Sequence, residues 1–392
     1  MSPTELARRK SAKTVLITTT IRVPHFLQGV LENAITHQAE NVSVLVIGDL
    51  KTPPEVRSFC RALSHLFRIP VTYLDVPDQE QALAAYPELL ALIPKNSAAR
   101  ILLGNFLAYQ SGAESIIVML DDDFVSEGDF FGTHRLVGAE REVNLIRSPS
   151  GWFNAYEATI EERGIPFYFR GFPWSKRTIK PGERTMTKRR ARVMVNQGLV
   201  MEDPDVDAVT RLAWPIRAIK MHPAFGQGFG LEPGTWCPFN IENVALAREI
   251  IPLYFMPAFL VRNNDIWASY ILTRILESRG EVVSYGYPLV KQFRNAHNLW
   301  RDLGEELVND QATDRFVEII RAVPLEEPDY LGALGTLLDE ALARLEALTD
   351  VPEEQLAMMQ RFLTEYRAWH HAMKTILVPS RLASPASLPP LG

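Results

Sequence analysis

The chain has 392 residues and sets 41 Lys and Arg against 47 Asp and Glu, a net charge of −6. That balance argues against general nucleic-acid binding, which leaves a basic footprint. Hydrophobic residues make up 47% and charged residues 22% of the chain, and no stretch approaches the roughly 18 uninterrupted apolar residues of a membrane helix. The basic start from Met1 to Lys13 lacks the apolar run of a secretory signal, so a cytoplasmic protein with no integral membrane segment is expected. Cys60 and Cys237 are too few for a disulfide framework and read as small buried hydrophobes.

In chain order, Thr14 to Thr19 reads as a strand ending in Thr20-Ile21-Arg22, followed by an amphipathic helix from about Pro24 to His37. Val42 to Ile47 is a second buried strand, closed by Gly48-Asp49, and Pro54 to Phe67 a helix opened by proline. Val71 to Val76 is a third strand. Helical periodicity runs from Leu89 to Gln110 and stops at Gly112, before the apolar strand Ile116 to Leu120. Alternating strands and helices predict a parallel-rich α/β sheet, whose ligands sit beyond the carboxyl ends of the strands. From Gly151 to Gly234, aromatic, glycine, proline and basic residues predict long loops and short antiparallel strands. Trp267 to Ser278 reads as a helix, as do Phe316 to Ala322, Ala333 to Ala347 and Glu353 to Ile376; Pro379 to Gly392 reads as a disordered tail.

The most informative stretch is Asp121-Asp122-Asp123 at the end of the Ile116 strand. Three adjacent, partly desolvated carboxylates repel one another, and a bound cation is the natural compensation. Hard oxygen ligands point to Mn²⁺ or Mg²⁺, which is usually completed by substrate phosphates. The other reading is a solvated acidic turn. Between Lys176 and Arg192 eight basic residues face a single Glu183, either a solvated arm or a lid that orders over an anionic ligand.

The strand ends resemble those of nucleotide-sugar glycosyltransferases of the A-type (GT-A) fold, with their Asp-x-Asp motif. Phe169-Arg170-Gly171-Phe172-Pro173-Trp174-Ser175-Lys176-Arg177 is similar to the Arg-Gly-Tyr-Pro-Phe-Ser-x-Arg segment of the reversibly glycosylated polypeptides, the plant UDP-arabinopyranose mutase family. Three further segments agree in order: Val195 to Leu199 with Asp203 to Asp207, Trp236 to Ala245, and Asn264 to Ala268. The resemblance spans roughly Thr14 to His297. Gly48 to Pro53, Arg294 to Asn298, the basic insertion Ile179 to Arg192 and the helical C-terminus depart from the mutase pattern.

This resemblance implies a GT-A-like, Rossmann-like domain over residues 1–300, with a helical region over 301–378 and the tail beyond. It implies that Asp123 binds the metal directly, that Asp121 lies towards the ribose and shares in metal binding, that Asp122 belongs to the same site, and that His297 supplies a third ligand. Arg170 falls where the mutases carry a glycosylatable arginine, with Arg177 as its companion; because guanidinium stays protonated, Arg170 is alternatively a diphosphate clamp. From the residues themselves, Thr20 and Arg22 border the site, and Gly48-Asp49 lies by the nucleobase or forms an Asx turn. Lys95 and Arg100 reach towards the phosphates, and Asp265 is a base or sugar-hydroxyl acceptor, or simply a helix cap. Trp152, Trp174 and Trp236 stack on a sugar or base, or pack the core. The leading expectation is a metal-dependent UDP-sugar mutase. A transferase to a separate sugar or glycan acceptor follows closely, then a non-catalytic nucleotide-sugar-binding subunit, and a homo-oligomer is left open.

Overall fold

The computed structural model describes residues 13–126, 128–177, 184–294 and 297–377. The basic start, the proposed tail and the middle of the basic insertion therefore lie outside the described residues. The α/β class expected from the sequence is the class observed.

Strands β1 (Thr14–Thr20), β2 (Val42–Gly48), β3 (Val71–Leu74) and β4 (Ser115–Val118) form a parallel half-sheet in the order β3-β2-β1-β4. The helices Phe26–Thr36, Glu55–Phe67 and Ile101–Gln110 connect them. The strands carry Val, Ile and Leu with almost every position buried, the pattern of a sheet covered on both faces. The helix before β4 is shorter than its periodicity predicts. Pro87–Leu92 forms one helix, and the turn at Asn96–Ser97 breaks the backbone before Ile101, because Ser97 caps the next segment through Ala99 N–H. Val76 opens the helix Val76–Ala82 rather than ending β3, since Asp75 and Asp78 form a capping box there.

After β4 the sheet becomes mixed. The short β5 (Asp123–Val125) pairs at the far edge, while β6 (Ala139–Arg147), β7 (Thr159–Glu161), β8 (Thr185–Glu202), β9 (Ala218–Met221), β10 (Gly228–Leu231), β11 (Val244–Ala247) and β12 (Val282–Gln292) complete it. β8 corrects the expectation of short strands between 151 and 234: it runs for 18 residues. Its first half reads as basic surface and its second as core, because it changes partners midway. Residues 185–193 pair with β6, and the rest lies between β11 and β12. The basic half is no lid. It is a strand whose Lys188 and Arg190 meet Glu142 and Glu140 of β6 at 3.0 and 3.4 Å, while Arg192 lies 3.0 Å from Glu281.

The C-terminal helices Leu299–Ala322, Tyr330–Glu346 and Glu353–Leu377 pack onto the Asn264–Ser278 helix and the segment before it. Trp267 stacks on Phe316 at 4.2 Å, and the Tyr366 hydroxyl donates to the Leu253 carbonyl at 2.6 Å. The first of these helices starts well before the expected Phe316. Its early turns bury Asp302, Glu306, Asn309 and Asp310, so its inward face is acidic and gives no apolar period to read.

Candidate functional site

A cavity of about 370 Å³ opens at the carboxyl ends of β1, β2 and β4, where an open α/β sheet holds its ligands. Its wall includes Thr20, Arg22, Gly48, Asp49, Arg100, Asp121 and Asp122, which sequence reasoning placed together, and Lys51, Asn96 and Ser97, which it missed. Asp121 accepts from the Thr20 hydroxyl at 2.8 Å and from Arg22 Nε at 3.1 Å, which pins the acidic turn to the end of β1. Asp49 accepts from Leu50 N–H at 2.7 Å and from Ser97 N–H at 3.0 Å. It thus closes a turn and ties the β2 end to the loop opposite. Gly48 is required by packing: a Cβ there would lie 2.4 Å from the Tyr73 hydroxyl.

Arg100 is a buried cation whose Nε donates to Gln79 Oε1 at 3.0 Å; no carboxylate forms an ion pair with it among the described residues. Burial draws its pKa down. Gln79 is itself fixed by donating to the Gly48 and Leu74 carbonyls, both at 2.8 Å. A neutral amide therefore positions a guanidinium whose charge is left for a ligand to meet. Lys95 is corrected: it is absent from the wall, and its ammonium pairs with Glu80 at 2.7 Å.

Asp122, Leu120 and Ala98 also line a second chamber of about 220 Å³, so the two share a wall. The far side of this chamber comes from distant segments: Arg170, Asp205, Asn240, Glu242, Arg262, Asp265, Gln292, Arg294 and His297. Arg170 is fixed on every side. Its Nε is 2.9 Å from both Asp205 oxygens, one Nη donates to Asn263 Oδ1 at 2.9 Å and the Arg262 carbonyl at 3.2 Å, and the other lies 3.2 Å from Asp265. Burial works against its charge, but Asp205 and then Asp265 outweigh it and raise its pKa well above the ordinary value. Burial alone would raise the Asp205 carboxyl; Arg170 and Arg294 outweigh it and hold it below the usual range. Asp265 sits in the first turn of its helix, accepting from Ile266 N–H at 3.0 Å, and it also faces the chamber.

The metal expectation changes. Asp123 is fully buried, accepts from Leu120 N–H at 3.2 Å and lines neither chamber. Burial, then Asp122, pushes its pKa up to about 8. Its neighbour Glu242, also buried, is likewise raised, by burial first and then by Asp123. This argues against Asp123 as direct ligand: it opens β5, paired opposite Gln292 of β12, with its side chain buried there, and Asp121 and Asp122 are the two that meet the cavity. His297 reaches the second chamber, but its Nδ1 lies 3.2 Å from Asp302. His297 lines only the second chamber, whereas Asp121 lies in the first, so the described arrangement does not bring the two together as the expected ligand set.

Arg177 is corrected as well. It pairs with the buried Asp207 at 2.8 Å, stacks over Trp174 at 3.9 Å and lies outside both chambers. Trp152 and Trp236 are core residues that flank Arg321. Both cysteines are buried and unpaired. The missed residues Asp205, Asn240 and Glu242 had a signal, since they fall within segments that the family resemblance singles out, though not among its role-bearing positions; Arg294 falls in a segment that departs from the pattern and had none.

No family model matches the chain, and no curated protein matches it. Among solved structures, glucosyl-3-phosphoglycerate synthase from Mycobacterium tuberculosis, in complex with Mn²⁺, UDP-glucose and phosphoglyceric acid, is similar over 87% of this chain and 84% of its own, at 12% identity and a TM-score of 0.41. A mannosyltransferase from Pyrobaculum calidifontis, in complex with GDP-Man and Mn²⁺, is similar over 94% and 88%, at 11% identity and a TM-score of 0.39. A likeness this shallow carries nothing about activity. Among the described residues no helix is long and apolar enough to cross a membrane.

Proposed function

We propose that the protein is a GT-A-like glycosyltransferase that moves a sugar from a nucleoside diphosphate, of which UDP is the first choice, to a separate acceptor. One observation carries this reading: Asp122 forms part of both a cavity at the sheet's ligand edge and an adjoining polar chamber. Donor and acceptor would meet across it. In the first chamber, Arg100, Arg22 and Lys51 supply positive charge for a diphosphate. Asp121 and Asp122 suit Mn²⁺ or Mg²⁺, which is typically held by one or two carboxylates plus substrate phosphates. Such an ion would neutralise charge on the departing diphosphate.

In the transfer, the acceptor's hydroxyl oxygen bonds to the anomeric carbon as the bond from that carbon to the phosphate oxygen breaks. The electron pair stays on the diphosphate, and the hydroxyl proton passes to a chamber carboxylate, for which Asp265 is the candidate. Asp205 is a poor proton acceptor because its arginine partners hold its pKa down. The mutase with arginine self-glycosylation loses ground on the same geometry. Arg170 is a doubly paired cation with a raised pKa, and a guanidinium so placed cannot give up a proton to become a nucleophile.

Calorimetry of UDP with and without Mn²⁺ tests the donor site. Affinity should rise at least tenfold with the ion, about 1.4 kcal/mol, and Asp122→Asn should remove most of that gain. Asp123→Asn should leave it nearly intact, because that side chain is fully buried and lines neither chamber. Equal affinity in excess chelator would sink the proposal.

A further inference from the structure

We infer that the second chamber takes the end of an uncharged glycan, its terminal sugar between the paired charges and the next sugar on the Phe124–Phe293 lip. The inference rests on the proposed transfer and names the acceptor's class.

Charge comes first. Three arginines of the chamber wall, Arg170, Arg262 and Arg294, face four carboxyl groups there, those of Asp122, Asp205, Glu242 and Asp265. Each arginine has a carboxylate partner within the protein: Arg170 has Asp205 and Asp265, Arg262 has Glu306 at 2.6 Å, and Arg294, more loosely and with its Nε making no hydrogen bond among the described residues, has Asp203 at 3.6 Å and Asp205 at 3.8 Å. A phosphorylated or carboxylated acceptor would find no uncommitted cation among the described residues and would approach Asp122. Hydroxyl groups fit better. Asn240, Gln292 and the paired carboxylates present fixed donors and acceptors at no further cost in charge burial.

The rim adds shape. Phe293 lies between the wall residues Gln292 and Arg294 and is 60% exposed; Phe124, two residues beyond Asp122, is 44% exposed. β5 and β12 pair here, Lys291 opposite Phe124, and bring the two rings to 5.9 Å between centroids. Val261, also a wall residue, is 65% exposed. Apolar rings held open beside a polar chamber match the C–H face of a pyranose, which stacks on aromatic surface while its hydroxyls bond elsewhere. Two rings and a valine fall far short of the roughly 800 Å² per partner that a stable protein interface buries. A second copy of the chain is therefore a poor fit.

The test probes the full chain, with Mn²⁺ and UDP, on an array of neutral, sialylated and phosphorylated glycans, with UDP calorimetry alongside. Neutral glycans of two or more sugars should bind. The double variant Phe124→Ala/Phe293→Ala should lose at least tenfold in that signal while its UDP affinity stays within twofold, and Phe293→Trp should restore binding in the Phe124→Ala background. Binding only to charged glycans, binding to none, or an unchanged double variant would overturn the inference while leaving the donor site standing. Failure of the wild type to bind UDP would overturn the donor reading and the inference with it.

Discussion

The two chambers of the cleft solve opposite electrostatic problems. The first is built from strand ends, its buried Arg100 is held by the neutral Gln79, and its charge remains available to a ligand. The second draws on segments more than a hundred residues apart and cancels its arginines against its own carboxylates. A site that must receive a polyanion keeps a positive charge unmatched and relies on backbone geometry for precision. A site for hydroxyls can spend its charges on one another, and the same network then becomes structural. Removing a residue should therefore cost binding in the first chamber and folding in the second.

The largest effect should follow from Asp205→Ala. It would strip the buried Arg170 of its carboxylate partner at 2.9 Å and leave the partly buried Arg294 with Asp203 as its carboxylate. Breaking a buried pair from one side typically costs about 3–5 kcal/mol, which urea denaturation would read. Arg170→Ala should cost a similar amount, because Asp265 would then be buried without a cation and Asp205 would keep only the more distant Arg294 at 3.8 Å. If both variants lose turnover but denature at the wild-type midpoint, the contrast between the chambers fails.

A second test sits one layer behind. Asn263, which holds Arg170, donates to Asp310 at 2.8 Å. Burial, then Glu306, pushes Asp310 up to about 6 from an ordinary 3.8. The fold thus prefers the protonated form. Stability from this group is whole below the unfolded pKa and is lost as pH rises through about 6, by roughly 3 kcal/mol at most. Asp310→Asn keeps a side-chain oxygen for Asn263 and removes the titration. Thermal melts of the variant should match the wild type near pH 4 and exceed it above pH 7. A gain that is the same at both pH values would place the effect in packing instead.

The same division decides what was legible in the sequence. Strands such as Val42 to Ile47 announce themselves because both faces are buried and nearly every residue is apolar. Gly48-Asp49 and Asp121-Asp122 follow at fixed places on the ligand edge, so the first chamber could be read from local pattern. Asp123 could not, because which of three adjacent carboxyls turns inward depends on its pairing to Gln292, 169 positions away in the chain. The second chamber is non-local throughout. Asp205 and Glu306 look like surface acids until Arg170 and Arg262 arrive beside them. The strand Thr185–Glu202 was missed because its basic half matches Glu140 and Glu142 of a partner strand more than forty positions upstream.

The smallest effect should come from that basic ribbon, and it asks whether the first chamber is self-sufficient. Had the ribbon been a lid, its cations would belong to the donor site. Lys188 and Arg190 instead pair with Glu142 and Glu140, all of them well exposed, and no residue of the ribbon lines either chamber. Exposed pairs of this kind contribute about 0–1 kcal/mol and weaken further with salt. Lys188→Ala/Arg190→Ala should therefore shift the urea midpoint only slightly and leave Mn²⁺-dependent UDP affinity within twofold at physiological ionic strength. A tenfold loss of UDP affinity in this variant would mean that the ribbon meets the diphosphate after all, and the positive charge of Arg100, Arg22 and Lys51 would then be insufficient to account for donor binding.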